Sequence, residues 1–146
     1  GPARASHPEQ DELIRLAPQD AGAYYIRASA YADLGQYERS TQDLDEAIRL
    51  DPQDAAAYYY NRGIAYLNLG QSERAIQDYD EAIRLDPQYA KAYFNRRLAY
   101  ATLGQYERAI QDIDAAIRLD QACEVAVTLP EQNSTITGGD APITRR

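Results

Sequence analysis

The stretch YYNRGIAYLNLGQSERAIQDYDEAIRLDP, residues 59–87, is repeated with small changes on both sides of itself. Its central segment occurs three times, as DLGQYER at 33–39, NLGQSER at 68–74 and TLGQYER at 102–108. The glycines of these segments, at positions 35, 70 and 104, are 35 and 34 residues apart. A fixed period of this length predicts stacked supersecondary units, each of which needs its neighbours to bury its apolar face.

Each unit contains two segments with helical periodicity. The first segments cover residues 21–34, 56–69 and 90–103, and the second segments cover 37–50, 72–85 and 106–119. They are rich in Ala, Leu, Glu, Arg and Gln, which are good helix formers. A Leu-Gly pair ends each first segment, because glycine accepts the left-handed conformation that follows a helix end. The pattern therefore predicts an all-α fold built from helix pairs.

The period divides the chain into six parts. They are a disordered leader with a cloning scar (1–8), a partial repeat or N-terminal cap helix (9–20), repeat 1 (21–54), repeat 2 (55–89), repeat 3 (90–121) and an irregular C-terminal tail (122–146). Repeat 2 is longer by one residue than the regular spacing requires, and the extra residue lies within 55–60. Either its first helix begins earlier or the preceding turn absorbs the extra residue. We expect Val125 to Thr137 of the tail to contact a concave surface, of the same chain or of a neighbouring copy.

Composition limits the classes of partner. The 146-residue chain carries a formal charge of −8, which argues against nucleic acid and anionic membranes because both attract clustered positive charge. No apolar run approaches the roughly 20 residues that a membrane span needs. The single cysteine, Cys123, excludes an internal disulfide and fits a reducing compartment, so we expect a cytoplasmic protein.

Catalytic and metal-binding chemistry finds no support in the residues. The one histidine, His7, lies in the leader, so no Ser/His/Asp or Cys/His arrangement can form. One cysteine and one histidine supply too few nitrogen and sulfur ligands for a zinc site. No glycine-rich phosphate-binding loop is present. We predict that the chain is not an enzyme and that it has no catalytic residue, metal site or cofactor.

The units resemble the tetratricopeptide repeat, which places an aromatic residue, Leu-Gly, Tyr, Ala, an aromatic residue, Ala and Pro at fixed offsets. The middle unit supplies Tyr59, Arg62-Gly63, Tyr66, Ala75, Tyr79, Ala82 and Pro87. The resemblance covers about residues 9 to 121. It implies a right-handed α-solenoid of three helix-turn-helix repeats with a partial N-terminal helix, whose first helices line a concave groove.

Arginines replace residues that the family keeps apolar or small. Arg27, Arg62 and Arg96 stand where the family has leucine, and we expect a packed aliphatic stem with the guanidinium in water. Arg97 stands where a small residue lets two helices approach closely. A guanidinium is too costly to bury unpaired, so either the helix contact splays or the guanidinium reaches water.

Charged residues spaced by four mark the second helices. Arg74 and Asp78 form one such pair, and Asp80 and Arg84 form another. Pairs at this spacing lie on one helix face and stabilise it by only a few tenths of a kcal/mol, roughly 0.2–0.5. We expect them to form a solvated convex face rather than a site.

The resemblance also implies a binding groove on the first helices. Mapped onto this chain, the candidate groove residues are Tyr25, Ser29, Asp33, Tyr60, Asn61, Ile64, Leu67, Asn68, Lys91, Phe94, Asn95, Leu98 and Thr102. Tyr25, Tyr60 and Phe94 form an aromatic row that offers contact area. Asn61 and Asn95 can pair with a peptide backbone through amide donor and carbonyl. The alternative is that these side chains pack between neighbouring first helices.

Two functions remain open from the sequence. The first is a non-catalytic interaction module that binds a peptide or helical segment of a partner protein in the groove. The alternative is a self-assembly module that forms a homo-oligomer through unfinished solenoid ends, segment exchange or tail docking. The family's chaperone-tail receptors hold a carboxylate with a set of Lys, Asn and Arg, of which only Asn61 and Lys91 match here. An apolar ligand segment is therefore expected.

Overall fold

A computed structural model describes residues 8–121, and every element within that range is a helix. The helices are α1 (Pro8–Leu16), α2 (Ala21–Asp33), α3 (Tyr37–Leu50), α4 (Ala56–Asn68), α5 (Ser72–Leu85), α6 (Ala90–Thr102) and α7 (residues 106–121). The expected leader, with His7, and the expected tail contact of Val125 to Thr137, with Cys123, lie outside the described residues.

The helices pack in chain order to form a solenoid. Helices α2 and α4 pack against α3 and α5 of their own repeats, and α3 and α5 also pack against α4 and α6 of the next repeats. The first helices α2, α4 and α6 contact one another in turn, and α1 packs on α2 as a partial second helix. The predicted all-α solenoid of three helix pairs with a partial N-terminal helix is confirmed.

The Leu-Gly turns end the first helices as the sequence predicts. Gly70 has a φ of 77°, in the left-handed region that side chains avoid. Its amide donates to the carbonyl of Leu67 at 3.0 Å, and the amide of Gln71 donates to the carbonyl of Tyr66 at 2.8 Å. These bonds satisfy carbonyls that the helix end leaves free. The turns at Gly35 and Gly104 have φ values of 76° and 78°.

The extra residue of repeat 2 lies in the turn before α4. The turn at 51–55 has five residues, whereas the corresponding turn at 86–89 has four. The first helices α2, α4 and α6 are each 13 residues long, so the insertion leaves their register unchanged. Ala55 fills the lengthened turn and is fully buried. The turn therefore absorbs the residue, which confirms the second of the two expected outcomes.

The core cluster between α5 and α6 is built from four alanines and one large ring. Tyr79 is 0% exposed and lies among Ala75, Ala82, Ala92 and Ala99. Its ring occupies the space that a side chain at Gly63 would need, since a Cβ there would lie 2.7 Å from Cε1 of Tyr79. Within the described residues the hydroxyl of Tyr79 is buried with no hydrogen-bond partner. The contact between Gly63 and Tyr79 thus sets how closely α4 and α5 approach each other.

The three repeated arginines were expected to hold their guanidinium groups in water, but each guanidinium forms ion pairs and the side chains are only 17–23% exposed. The expectation of a solvated guanidinium was therefore wrong. Arg62 donates from Nε and Nη2 to both carboxylate oxygens of Asp78, at 2.9 and 2.8 Å. Its Nη1 donates to Asp45 at 2.7 Å. The rings of Tyr59 and Tyr66 lie 5.5 and 5.8 Å from the guanidinium carbon. The site can hold an arginine in place of leucine because carboxylates and tyrosine rings contact the guanidinium between the helices.

The same arrangement occurs in the other two repeats. Arg27 binds Asp43 through two bonds of 2.8 Å and Asp11 of α1 through one of 3.0 Å. Arg96 binds Asp112 at 2.9 and 2.7 Å and Asp80 at 2.7 Å. The hydrogen bonds that Arg27 donates to Asp43 raise the pKa of its guanidinium above the ordinary value. Each arginine therefore joins the second helix of its own repeat to the preceding second helix.

The charges of the second helices pair differently from the expected i, i+4 scheme. Asp78 is 4% exposed and binds Arg62, while Arg74 bonds instead to Gln71 at 3.2 Å. Arg84 pairs with Glu81 at 3.0 Å rather than with Asp80. The expectation of a uniformly solvated convex face was therefore wrong for the aspartates that meet the arginines, because partners distant in sequence outcompete the helical neighbours.

Arg97 reaches the surface instead of forcing the helices apart. Its guanidinium carbon lies 4.3 Å from the ring centroid of Phe94, and Nε donates to the carbonyl of Phe94 at 3.2 Å. Ala92 and Ala99 of the same helix are fully buried, so α6 still packs closely. The side chain escapes the helix contact by lying along an exposed ring.

Candidate functional site

The first helices place all thirteen candidate groove residues at accessible positions. The exposed ones are Asp33, Asn68, Lys91, Phe94, Leu98 and Thr102. The partly buried ones are Tyr25, Ser29, Tyr60, Asn61, Ile64, Leu67 and Asn95. These residues repeat at matching positions of 13-residue helices that lie side by side. The first helices together therefore present a row of side chains from each repeat.

Asparagines link the first helices of successive repeats. Asn61 donates from Nδ2 to the hydroxyl of Tyr25 at 3.2 Å and to the carbonyl of Ala57 at 2.8 Å. Asn95 likewise donates to the hydroxyl of Tyr60 at 3.0 Å. Only an N–H can face a carbonyl oxygen, so the orientation of the Asn61 amide is settled. The amide donors are thus partly used within the protein, and within residues 8–121 the carbonyl of Asn61 has no donor.

The expected aromatic row is a set of separate ring contacts. The ring of Tyr25 meets that of Tyr58 with centroids 5.3 Å apart, and the ring of Tyr60 meets that of Tyr89 at 4.9 Å. Tyr60 also packs on the core beside Tyr79, at 6.0 Å. The alternative interpretation, packing between helices, therefore accounts for one side of Tyr60, while its other side remains accessible.

Part of the predicted set surrounds one cavity of about 590 Å³. Its lining comprises Tyr25, Tyr60, Asn61, Asp86, Gln88, Tyr89, Ala90, Lys91 and Asp120. Four predicted residues, Tyr25, Tyr60, Asn61 and Lys91, thus come together from α2, α4 and α6. A neighbouring cavity of about 340 Å³ lies between α6 and α7 and includes Lys91 and Phe94.

The other predicted residues line neither of these cavities. They are Ser29, Asp33, Ile64, Leu67, Asn68, Asn95, Leu98 and Thr102. The side chain of Asn68 donates to the carbonyl of Ile64 of its own helix, and that of Thr102 donates to Leu98, both at 2.9 Å. These two polar side chains therefore serve the ends of their helices.

Sequence reasoning missed the residues contributed by the turn before α6 and the end of α7. Tyr89 immediately precedes α6, at the position that Asp20 and Ala55 hold before α2 and α4. Asp86 accepts a hydrogen bond from the amide of Gln88 at 3.1 Å, which shapes that turn. The available signal was the appearance of an aromatic residue in a turn whose counterparts are small or acidic.

Two tyrosines of the cavity, Tyr60 and Tyr89, have raised pKa values. Burial raises the pKa of Tyr89 to about 12, and the nearby Tyr60, Tyr25 and Asp86 add to the effect. Burial also raises the pKa of Tyr60, an effect that the hydrogen bond from Asn95 partly offsets. Their hydroxyls therefore keep their protons at neutral pH and remain available as donors.

Other chemistry is limited in the described part of the chain. Residues 8–121 contain no group of three or more His, Cys, Asp or Glu side chains placed to hold a metal ion. Over the same range, no helix combines the length and the apolar character that crossing a bilayer requires.

The fold and the candidate site together define a class: a solenoid of helix pairs whose first helices carry accessible side chains in matching positions. Models of the tetratricopeptide repeat match residues 56–89 and 78–111, and a TPR repeat model matches residues 28–70. The comparison with curated proteins gave no match.

Solved structures of this family have a similar fold. The second TPR of Spaghetti (RPAP3), bound to the HSP90 peptide SRMEEVD, is 33% identical over 69% of this chain and 93% of its own, with a TM-score of 0.67. The Arabidopsis OM64 TPR domain is 30% identical over 69% of this chain and 83% of its own, with a TM-score of 0.67. MamA is 27% identical over 79% of this chain and 67% of its own, with a TM-score of 0.74. The chain belongs to the tetratricopeptide repeat family, and its fold is that of a protein-interaction module.

Proposed function

We propose that this chain is a non-catalytic module that binds a peptide segment of a partner protein along the concave surface of α2, α4 and α6. The observation that carries the proposal is the cavity that joins Tyr25, Tyr60, Asn61 and Lys91 from three successive first helices. A similar TPR domain, that of RPAP3, is bound to a peptide, which supports peptide binding by this fold.

The groove has hydrogen-bonding groups suited to a peptide backbone. The carbonyl oxygen of Asn61 points away from its settled amide donor and can accept from a peptide N–H. The hydroxyls of Tyr25 and Tyr60 each accept from an asparagine, so each keeps its own hydrogen to donate. The rings add apolar contact area around these polar points. The combination favours an extended or helical segment held by both backbone and side chains.

An acidic peptide terminus is a poor ligand for this cavity. Lys91 is the one cation among the nine lining residues, and Asp86 and Asp120 share the lining with it. A carboxylate placed there meets two like charges and one opposite charge. This charge balance supports the expectation that the chain is not a receptor for chaperone carboxylate tails.

Peptide selection tests the proposal. A library of random dodecapeptides is selected on the purified chain, and the enriched peptides are labelled with fluorescein for anisotropy titrations. The substitutions Tyr60→Ala and Asn61→Ala together should weaken binding by about tenfold or more, because hydrogen-bonded and aromatic anchors each contribute roughly 1–2 kcal/mol. Lys91→Glu, at an exposed position, should change the affinity without disturbing the fold.

Matched controls separate binding from folding. Glu73→Ala alters an exposed residue of α5 and should leave binding unchanged. Helical circular dichroism should be the same for all variants. If the selected peptides bind both groove variants as well as the original chain, the concave surface is not the binding site.

A second candidate function, self-association, is favoured by the face that α6 and α7 present. Large apolar side chains there are 42–65% exposed, namely Phe94, Leu98, Tyr106, Ile110 and Ile117. Their counterparts in repeat 2 are partly or fully buried, because repeat 3 covers them: Tyr60, Ile64, Ser72, Ile76 and Ile83. We propose that a second copy of the chain covers this face.

Light scattering tests self-association. The mass should rise above the 16.4 kDa monomer with concentration, and Ile110→Glu should restore the monomer. Glu107→Gln, at a neighbouring exposed position, is the control. A mass that stays monomeric over a broad range of concentrations contradicts this second proposal.

A further inference from the structure

The cavity on the concave surface carries an unusual combination of side chains. Three tyrosines, Tyr25, Tyr60 and Tyr89, line it together with the carboxylates of Asp86 and Asp120. The lining also includes one cation, a lysine, which leaves one negative charge in excess. Tyrosine faces attract cations and carboxylates pair with them, so the chemistry of this cavity is that of a cation site.

The carboxylates of the cavity are available to a ligand. Within residues 8–121, the carboxylate of Asp120 makes no ion pair or hydrogen bond, and the carboxylate of Asp86 accepts only from the backbone amide of Gln88. Lys91 likewise forms no ion pair in the described part of the chain. The cavity therefore holds two carboxylates that no cation of the described chain neutralises at hydrogen-bonding distance.

The protein itself shows which cation such a set accepts. At the back of the same helices, two tyrosine rings and two aspartates surround the guanidinium of Arg62, with ring distances of 5.5 and 5.8 Å and carboxylate bonds of 2.7–2.9 Å. Two rings and two aspartates surround Arg96 in the same way, with ring distances of 5.4 and 5.6 Å. The tyrosine–aspartate combination thus holds an arginine in both of these repeats.

Geometry favours arginine over lysine. A guanidinium is planar, so it stacks on aromatic faces and forms two parallel hydrogen bonds to a carboxylate. An ammonium is more strongly hydrated and cannot stack in this way. The overall charge of −8 adds a long-range attraction for basic segments.

We infer that the cavity lined by Tyr25, Tyr60 and Tyr89 binds an arginine side chain of the partner peptide, with Asp86 and Asp120 pairing with its guanidinium. The inference rests on the proposed peptide-binding function and names the chemistry that its ligand carries. A partner segment therefore has one arginine flanked by apolar residues, which contact the rest of the concave surface.

Short synthetic probes test the inference. The probe is acetyl-Leu-Arg-Leu-amide, and its analogues carry citrulline, lysine or glutamate at the centre. Citrulline has the shape of arginine without the charge. Binding is followed by NMR on protein with ¹³C-labelled tyrosine rings, whose signals are assigned through Tyr→Phe variants. The arginine probe should shift the ring signals of the cavity tyrosines and bind about five- to tenfold more tightly than the citrulline analogue.

Variants locate the charge preference. Asp86→Asn and Asp120→Asn together should remove most of the difference between arginine and citrulline while leaving the citrulline affinity unchanged. Asp114→Asn, which neutralises an exposed carboxylate of α7 outside the cavity lining, is the matched control and should preserve the difference. Added salt should weaken the arginine probe more than the citrulline analogue, because salt screens charge pairs.

Each outcome has a distinct meaning. Equal binding of arginine and citrulline in the cavity overturns the inference but leaves the peptide-binding function standing. Lysine binding as well as arginine overturns the assignment of a guanidinium site. If no probe shifts the cavity tyrosines, the inference is wrong, and the dodecapeptides selected on the whole chain then decide separately whether the groove binds peptides.

Discussion

Substitution of Gly63 by alanine tests how the core sets the spacing of the helices. A Cβ at this position would lie 2.7, 2.9 and 3.0 Å from three ring atoms of Tyr79. That ring is fully buried, so it cannot swing aside without displacing the alanines packed around it. In an open helix, alanine stabilises relative to glycine by about 1 kcal/mol. Here the crowded ring opposes that gain.

The magnitude follows from the two opposing terms. Overpacking a dense core costs about 1–3 kcal/mol, and three simultaneous close contacts point to the upper part of that range. Subtracting the helix propensity leaves a net destabilisation of about 1–2 kcal/mol. Urea denaturation followed by circular dichroism measures this directly as a lower transition midpoint with an unchanged slope.

Repeat 1 indicates which second substitution should restore the stability that Gly63→Ala removes. It has Ala28 and Leu44 at the positions of Gly63 and Tyr79, and both of its side chains are fully buried. The double variant Gly63→Ala/Tyr79→Leu should therefore be more stable than either single variant, because the second change frees the space that the first one needs. If Gly63→Ala alone raises the free energy of unfolding, the ring does not control the packing and the reasoning is refuted.

Three further predictions concern buried polar groups. Arg62→Leu restores the residue that the family has at this position but leaves Asp78 buried without its guanidinium, so the free energy of unfolding should fall by about 3 kcal/mol. Adding Asp78→Asn should recover part of that loss. A neutral result for Arg62→Leu in urea denaturation would contradict the importance of the pair. Tyr79→Phe removes a buried hydroxyl with no partner in the described residues, so it should leave stability unchanged or raise it by up to about 1 kcal/mol in the same assay, whereas a clear loss would reveal a hidden partner. Tyr89→Phe should remove one late-ionising phenol, so the difference between the alkaline absorbance titrations of the two proteins should have its midpoint near pH 12 rather than near 10. Because the folded state raises this pKa, its stabilising contribution is complete below about pH 10 and is lost as the pH rises from 10 to 12.

The fold was largely predictable because its signals are local and repeated three times. Helix propensity and the Leu-Gly turns each act within a few residues, and three registers agree. The turn of residues 51–55 shows the limit: the sequence locates an extra residue but leaves open whether helix or turn contains it. The buried Ala55 settles the question, since only packing in three dimensions distinguishes the alternatives.

The arginine contacts were not predictable from local spacing. Arg62 lies 16 residues before Asp78 and 17 residues after Asp45, and no helical periodicity connects them. The i, i+4 rule favours Arg74 as the partner of Asp78, but a neighbour on a facing helix offers two parallel bonds in a less hydrated place. Side chains that bridge three helices are visible only when the helix pairs are stacked.

The candidate site was predictable where its residues lie on helices and not where they lie in turns. The positions of Tyr25, Tyr60 and Lys91 follow from their register in the first helices. Tyr89 lies in a turn, where no periodicity predicts which way the side chain points. The donor role of Asn61 was also misjudged, since the neighbouring repeat supplies a hydroxyl for its amide. Contacts between repeats thus change the chemistry that each repeat alone suggests.

Two consecutive residues of α4 contact different parts of the protein: one lies at the candidate groove, and the other joins neighbouring helices. Asn61 and Arg62 are adjacent in the chain, and consecutive residues in a helix point about 100° apart. Asn61 contacts Tyr25 on the concave side, while Arg62 binds the carboxylates of Asp45 and Asp78 on α3 and α5. The arginine contacts therefore restrain the rotation of α4 about its axis, and this restraint keeps Asn61 and Tyr60 facing the cavity that both residues line. In the proposed function, the ion pairs of Arg62 orient the helix that presents the candidate groove residues.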